Sequence, residues 1–143
     1  MGFGYGPIPN AVRSNTAAPT GTVSTTFVMA GLGTTITPTV TGRMLMICCG
    51  NASSGTINDG GKVQLSYGTG GAPSNGAGVT GSQSGTAMIL TNDIAANAKF
   101  GFYVAEWVTN FTVGTTYWVD LAFAAVTGGT FSIADVTLIV LEM

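Results

Sequence analysis

The chain has 143 residues, the size of a single domain, and a formal net charge of −2. Charged residues make up only 7% of it and histidine is absent, so the sequence lacks the commonest general base and metal ligand. Four basic residues are too few to track a phosphate backbone, and no apolar stretch approaches the roughly 20 residues that cross a bilayer. We therefore expect no nucleic-acid partner, membrane span, cofactor or metal site.

Residues 1–21 predict an extended N-terminal arm, separate from a domain at residues 22–143. Glycine alternates with aromatic residues in this segment, and prolines at positions 7, 9 and 19 exclude a helix or a central strand. Phe3, Tyr5 and Ile8 are costly to leave in water. We expect them to dock on a partner, while a disordered terminus is the alternative that the same residues allow.

From residue 22 onward, alternating apolar residues predict about eight strands. These lie at residues 24–30, 34–40, 43–49, 62–67, 86–90, 99–108, 117–125 and 130–143. Residues 50–85 hold eleven of the 22 glycines and are otherwise predicted as loops, and residues 91–98 give the one candidate for a helical turn. Many strands without a convincing helix predict an all-β fold, an antiparallel β-sandwich or jelly roll.

Two local patterns mark the last third of the chain. The spacing Phe111-x-x-Gly114-x-x-Tyr117 is that of a tyrosine corner, in which the tyrosine hydroxyl bonds to backbone upstream. Residues 127–129, Thr-Gly-Gly, predict a tight turn that joins the last two strands as a hairpin.

Strands 43–49 and 99–108 are apolar on both faces, as is the last strand. A sandwich strand turns only one face to the core, and a surface with so little charge is poorly protected against association. We therefore expect a homotrimer whose contacts include the second face of strand 43–49 or of strand 99–108. The adjacent Cys48 and Cys49 point to opposite faces, so they are expected to be free thiols rather than a disulfide.

Acidic and aromatic side chains offer few candidates for chemistry. Asp120 and Glu106 fall in mid-strand, and two carboxylates facing one cleft would be needed for a glycosidase; pairing with Arg43 or Lys99 is the structural explanation that we favour. Asp59 follows an asparagine, a context in which aspartate usually bonds to its own backbone in a turn.

Trp107 and Trp118 are assigned as partner-contacting residues. Together with Tyr103 they would also suit stacking on a sugar, whereas aromatic residues on strands more often pack in a core or an interface.

Three stretches carry a resemblance to a known class of proteins. They are G-R-M-L-M-I-C-C-G-N-A-S from Gly42, V-Q-L-S-Y-G-T-G-G-A-P-S-N-G-A from Val63 and V-G-T-T-Y-W-V-D-L-A-F-A-A-V-T-G-G-T from Val113. They resemble small virion proteins of tailed bacteriophages, which occur as capsid decoration (cement) proteins, head fibres and tail-fibre modules. The resemblance implies a β-sandwich or jelly-roll module, often trimeric, with a structural role and no catalytic residue.

These observations lead to one main expectation and two alternatives. We expect a non-enzymatic virion protein, made in the cytoplasm of the bacterial host, that decorates and stabilises a lattice of major capsid protein as a trimer. The first alternative is a fibre or spike module that binds a host glycan through its glycine-rich loops. The second is a small hydrolase that uses Asp120 and Glu106.

Overall fold

The computed structural model describes residues 8–15 and 18–143, and within them the protein is an all-β sandwich of two antiparallel sheets without a helix. The predicted fold class is therefore confirmed. The described part of the chain also has no helix that could cross a membrane. In chain order the strands are β1 (Ala11–Asn15), β2 (Val28–Met29), β3 (Thr34–Ile36), β4 (Met44–Ser54), β5 (Asp59–Thr69), β6 (Ser82–Asn92), β7 (Phe100–Val108), β8 (Tyr117–Ala125) and β9 (Phe131–Glu142).

The strand order is that of a jelly roll. Sheet A has the order β1-β9-β4-β7, and sheet B has the order β2-β8-β5-β6, with β3 also paired to β8. Within the described residues only β5 and β6 are neighbours both along the chain and in a sheet, so almost every connection crosses from one sheet to the other. Counting β2 and β3 as one interrupted strand gives two sheets of four, as in double-sheet jelly rolls.

The core lies between the sheets and is filled from both. Alternate residues of each central strand point inward because side chains on a strand have a period of two. The largest fully buried side chains of this core include Phe123, Ile36, Leu65 and Leu121 from sheet B and Phe131, Met44, Met46 and Leu138 from sheet A.

The predicted hairpin at residues 127–129 is wrong. Strand β8 belongs to sheet B and β9 to sheet A, so this turn passes between layers. Asp59 anchors it, because its carboxylate accepts the N–H groups of Thr127 at 3.1 Å and Gly129 at 3.0 Å. Asp59 is thus the first residue of β5, and its carboxylate bonds the backbone of the adjacent Gly60 as well as this distant turn. A glycine turn in the sequence indicates that the chain reverses direction, but it does not indicate which of the two sheets the next strand joins.

Part of the predicted arm is a strand of the sandwich. β1 pairs with β9 at the edge of sheet A, and Val12 packs against the core. The prolines at positions 9 and 19 flank β1 instead of interrupting it, which is why an edge strand fits between them. Ile8 is 79% exposed, while Phe3 and Tyr5 lie outside the described residues.

The glycine-rich region is more ordered than its composition predicts. β4 extends to Ser54, β5 fills Asp59–Thr69 and β6 begins at Ser82. The candidate helical turn at residues 91–98 is instead the end of β6 followed by turns. Some glycines of this region lie within strands instead of loops. Gly85, for example, lies in the bulge of β6, where its φ is +68°.

The tyrosine-corner hydrogen bond is present. The Thr112 N–H donates to the hydroxyl of Tyr117 at 3.0 Å. The Phe111 ring lies 4.3 Å from the Tyr117 ring, centroid to centroid. Gly114, with φ of +84°, turns the chain between them and donates its N–H to the Pro38 carbonyl at 2.8 Å. These contacts fix the connection 109–116 to the start of β8.

The Tyr117 hydroxyl provides the first test. Tyr117→Phe keeps the ring and removes only the acceptor for Thr112. Because this hydrogen bond is exposed and water can replace it, we expect a loss of about 0.5–1.5 kcal/mol in urea denaturation. Tyr103→Phe is the matched control, since the Tyr103 ring is 58% exposed. Equal midpoints for Tyr117→Phe and the parent would show that the corner bond contributes nothing.

Candidate functional site

The outer face of sheet A is almost entirely apolar in the half of the sheet around Met44–Cys49, and this half is what we call the outer face below. Met44, Met46 and Cys48 of β4 are fully buried in the core, so the residues between them point away from it. Antiparallel partners share a face, and the register therefore extends this surface across all four strands. Its members are Ala11 and Arg13 of β1, Thr137, Ile139 and Leu141 of β9, Leu45, Ile47 and Cys49 of β4, and Tyr103, Ala105 and Trp107 of β7.

These side chains form three rows across the strands. The rows are Ala11–Leu141–Leu45–Trp107, then Arg13–Ile139–Ile47–Ala105, then Thr137–Cys49–Tyr103. The aliphatic residues of the two central strands are half-buried because neighbours in the rows shield one another. Trp107 and Tyr103 at the β7 edge are 48% and 58% exposed. Trp107 is therefore accessible to a partner, as its assignment requires.

The composition of this face is that of the centre of a protein interface. Among the described residues of these three rows Arg13 alone is charged, whereas beyond the bulge after Cys49 the outer side of the sheet is polar, with the exposed Asp135 accepting a hydrogen bond from Asn51 at 2.9 Å. From strand and residue spacings the face measures about 300 Å², comparable to the largest apolar patch of a typical monomer. Interface centres are depleted of charge and enriched in aromatic residues. A standard interface covers about 800 Å² per partner, so this face would form the centre of a larger contact.

Trp118 does not lie on an accessible surface, contrary to its assignment as a partner-contacting residue. It points out from sheet B, as alternation predicts, but is only 2% exposed. The ring is enclosed by the backbones of Gly68 and Gly81, where any Cβ would collide with it, and its Nε1–H donates to the Thr69 carbonyl at 3.2 Å. The glycine-rich connection folds back over the sheet, which alternation along β8 could not reveal.

A groove of about 490 Å³ opens beside Trp118. Glycine backbone forms much of its wall, and none of the described residues that line it is charged. Its side chains are hydroxyl-bearing or aromatic: Tyr67, Thr69, Thr80, Ser82, Tyr117 and Trp118. The hydroxyl oxygen of Tyr117 accepts the Thr112 bond, so its proton can still be donated to a ligand.

Asp120 and Glu106 do not share a cleft. Asp120 is fully buried on the outer side of sheet B, where it accepts the N–H groups of Gly31 at 3.0 Å, Leu32 at 2.9 Å and Leu121 at 2.7 Å. Glu106 lies on the core-facing side of β7 in sheet A, against Gly85. Sheet B therefore stands between the two carboxylates.

The contacts of Asp120 explain the break in the edge strand. Gly31 and Leu32 connect β2 to β3, and their N–H groups turn to the carboxylate instead of to β8. The partners of Asp120 in the described chain are thus backbone groups, not Arg43 or Lys99. Burial raises the pKa of Asp120, and the three N–H bonds oppose that rise only in part.

Both cysteines are free thiols, as their adjacency predicts. Cys48 faces the core, where burial, followed by the nearby Cys49 and Asp120, raises its pKa far above the usual thiol value. Cys49 lies on the outer face of sheet A. Nowhere in residues 8–15 and 18–143 do three His, Cys, Asp or Glu side chains converge on a point where a metal would bind.

Glu142, at the end of β9, is the most heavily hydrogen-bonded side chain in the described chain, and the sequence analysis missed it. One carboxylate oxygen accepts the N–H groups of Val40 at 2.6 Å and Thr41 at 2.7 Å. The other accepts those of Asn10 at 3.0 Å and Thr39 at 2.9 Å. This carboxylate joins the segment before β1, the connection 37–43 and the end of β9. No spacing rule predicts it, because its donors are distant in sequence.

Comparisons with known proteins add little to this geometry. No protein-family model matches the chain, and no curated protein matches it. Among solved structures, the chain is similar to the structure of Eiger TNF from S. frugiperda, with a TM-score of 0.43 and 12% sequence identity. The match covers 76% of this chain and 64% of that chain, which is less than two thirds of its length.

Replacement of Glu142 by glutamine tests its role. Whichever way the amide turns, its NH₂ group would face at least two backbone N–H donors, so several buried groups would lose their acceptor. We expect Glu142→Gln to lower the free energy of unfolding by on the order of 2 kcal/mol. Asp93→Asn, at an exposed acid, is the control. A loss no larger than that of the control would show that the carboxylate is dispensable.

The same variant has a pH signature. Burial acts to raise the pKa of Glu142, but the N–H bonds from Asn10, Thr39, Thr41 and Val40 outweigh it and hold the pKa well below its usual value. The stability that Glu142 supplies is therefore present above the unfolded pKa of about 4.3 and lost as pH falls toward the folded pKa. We expect the parent to lose stability below about pH 4 more steeply than Glu142→Gln. If the stabilities of the parent and Glu142→Gln fell equally as the pH is lowered, this expectation would be contradicted.

Proposed function

We propose that the chain is a non-enzymatic virion structural protein that assembles as a homotrimer and decorates a capsid built of major capsid protein. The observation that carries the proposal is the apolar outer face of sheet A, in whose rows Arg13 is the one charged residue described. A second copy of the chain is the partner that would cover this face in every subunit. The resemblance to small phage virion proteins supports both a place in a virion and a trimeric assembly.

The arrangement of the N-terminal segment supports attachment to a larger assembly. β1 ties this segment to sheet A, and Glu142 accepts the N–H of Asn10 just before it. Ile8, the first described residue of this segment, is an apolar side chain that is 79% exposed. An anchored segment with an exposed apolar residue suits contact with a neighbouring capsid protein. Cryo-electron microscopy of the particle that carries the chain is the test: trimeric density on the capsid surface is expected, and its absence would reject this role.

Self-association is tested by placing a charge on the centre of the face. Ile47→Lys puts an ammonium group among Ile139, Leu45 and Ala105, where it would be buried without an anion if copies associate. We expect the parent to sediment with the mass of three 14.4 kDa chains at micromolar concentration and Ile47→Lys as one. Ile94→Lys, at a loop residue that is 83% exposed, is the control and should remain trimeric. A monomeric parent would reject the proposal.

A second candidate function is glycan binding by a fibre or spike module, which the uncharged groove beside Trp118 favours. Its hydroxyl groups and aromatic rings suit a neutral saccharide, whose hydroxyls and C–H faces match them. Gly71 lines this groove, and a Cβ added there meets no atom within 4 Å. Gly71→Trp should therefore fill the groove without disturbing the fold.

The measurement is saturation-transfer NMR with neutral oligosaccharides. We expect saturation of the saccharide protons by the parent and its loss with Gly71→Trp if the groove binds glycans. Equal transfer from both proteins, or none from either, would reject the groove as a glycan site. In the decoration role alone the groove is not needed, so the two candidate functions are separated by this comparison and the sedimentation experiment.

A further inference from the structure

The two edges of the outer face of sheet A carry different and complementary groups. Arg13, at the β1 edge, is exposed. At the β7 edge, Ala105 is exposed between Tyr103 and Trp107 on the same face, so the small side chain leaves a gap between two aromatic rings. Ile47 of β4 lies beside Ala105 and closes the inner side of this gap.

The register places Arg13 and the gap in the same row. Arg13 is opposite Ile139, Ile139 is opposite Ile47, and Ile47 is opposite Ala105. Three strand spacings, about 14 Å, separate Arg13 from Ala105. The Arg13 guanidinium therefore cannot reach the gap of its own chain, although Arg13 and Ala105 lie in the same row across the sheet.

The gap has the dimensions that a guanidinium requires. Successive residues on one face of a strand are about 7 Å apart, so a cation above Ala105 has an aromatic residue about 7 Å to either side. Cations interact with ring faces within about 6 Å of the ring centroid. A slight tilt of either ring toward Ala105 would shorten the separation to this distance. Arginine is the cation that stacks on aromatic faces, because its guanidinium is planar and weakly hydrated.

Neither group has such a partner among the residues that the structure describes. Within the described residues Arg13 makes no side-chain hydrogen bond or ion pair, and the cation–π contact found there joins Lys62 to Phe27 at 5.6 Å. If copies associate through this face, an unpaired guanidinium on it would be costly to bury. The aromatic gap removes that cost.

We infer that Arg13 of one copy enters the gap between Tyr103 and Trp107 of a second copy. The inference rests on the proposed self-association and specifies its contact. Each copy carries the cation at one edge and the gap at the other, so the contact joins unlike edges of two copies. In the proposed trimer it repeats head-to-tail, a kind of contact that closes into a ring when the rotation between copies permits. Arg13 thus sets the register between copies, while the aliphatic rows of β4 and β9 supply the apolar area.

A double-mutant cycle on the full chain tests this contact. The variants are Arg13→Ala, Trp107→Ala and the double variant, and the dissociation constant of self-association is measured by sedimentation over a dilution series. Arg13→Ala should weaken association about 3- to 30-fold, as expected for a desolvated cation–π pair. In the double variant the two losses should not multiply, since the first change already removes the contact. Lys99→Ala, at another exposed cation, is the control and should have no effect.

The outcomes separate this contact from the proposed function. Losses that multiply in the double variant, or an Arg13→Ala variant that associates like Lys99→Ala, overturn the Arg13 contact. If Ile47→Lys still dissociates the assembly, the self-association stands. A parent that is monomeric at every concentration overturns both. Because Arg13 is exposed, its loss should leave the fold intact, and an unchanged denaturation midpoint under monomeric conditions verifies this.

Discussion

Three buried carboxylates hold the connections of this jelly roll, where no strand ladder is available to do so. Asp59 fixes the connection between β8 and β9, Asp120 the break between β2 and β3, and Glu142 the connection before β4 together with the segment before β1. Each accepts at least two backbone N–H groups from residues distant in sequence. A carboxylate with its lone pairs filled in this way is stable without a cation, which explains how a chain with four basic residues can bury acids.

This use of charge has a consequence for the surface. Half of the six acidic residues are buried by hydrogen bonding to backbone, so the outside carries even less charge than the composition indicates. The three apolar rows on the outer face of sheet A are the extreme case, with Arg13 as their charged member among the described residues. Burial of the rows against another copy would remove this surface from water, whereas a monomer would leave it exposed to non-specific association. The proposed self-association would meet this constraint.

Much of the fold could be predicted from local pattern, and the failures share one cause. Alternation predicted that strands 43–49 and 99–108 and the last strand are apolar on both faces, and the spacing around Tyr117 predicted its bond to backbone. The layer in which β9 lies, the strand within the arm, the cover over Trp118 and the role of Glu142 all depend on contacts between residues far apart in sequence. Periodicity reports which way a side chain points; it does not report which segment lies beyond it. Arg13 was missed because the flanking prolines argued against any strand at β1.

The central claim, that copies of the chain meet through the outer face of sheet A, can be tested without changing a residue. The protein has two tryptophans: Trp118 is buried in its own chain, and Trp107 is 48% exposed on the face in question. Acrylamide quenching of tryptophan fluorescence over a dilution series therefore reports on Trp107. The account predicts weak quenching at concentrations where copies are associated and a rise once they separate. A Trp107 that is quenched as a half-exposed indole at every concentration would contradict it.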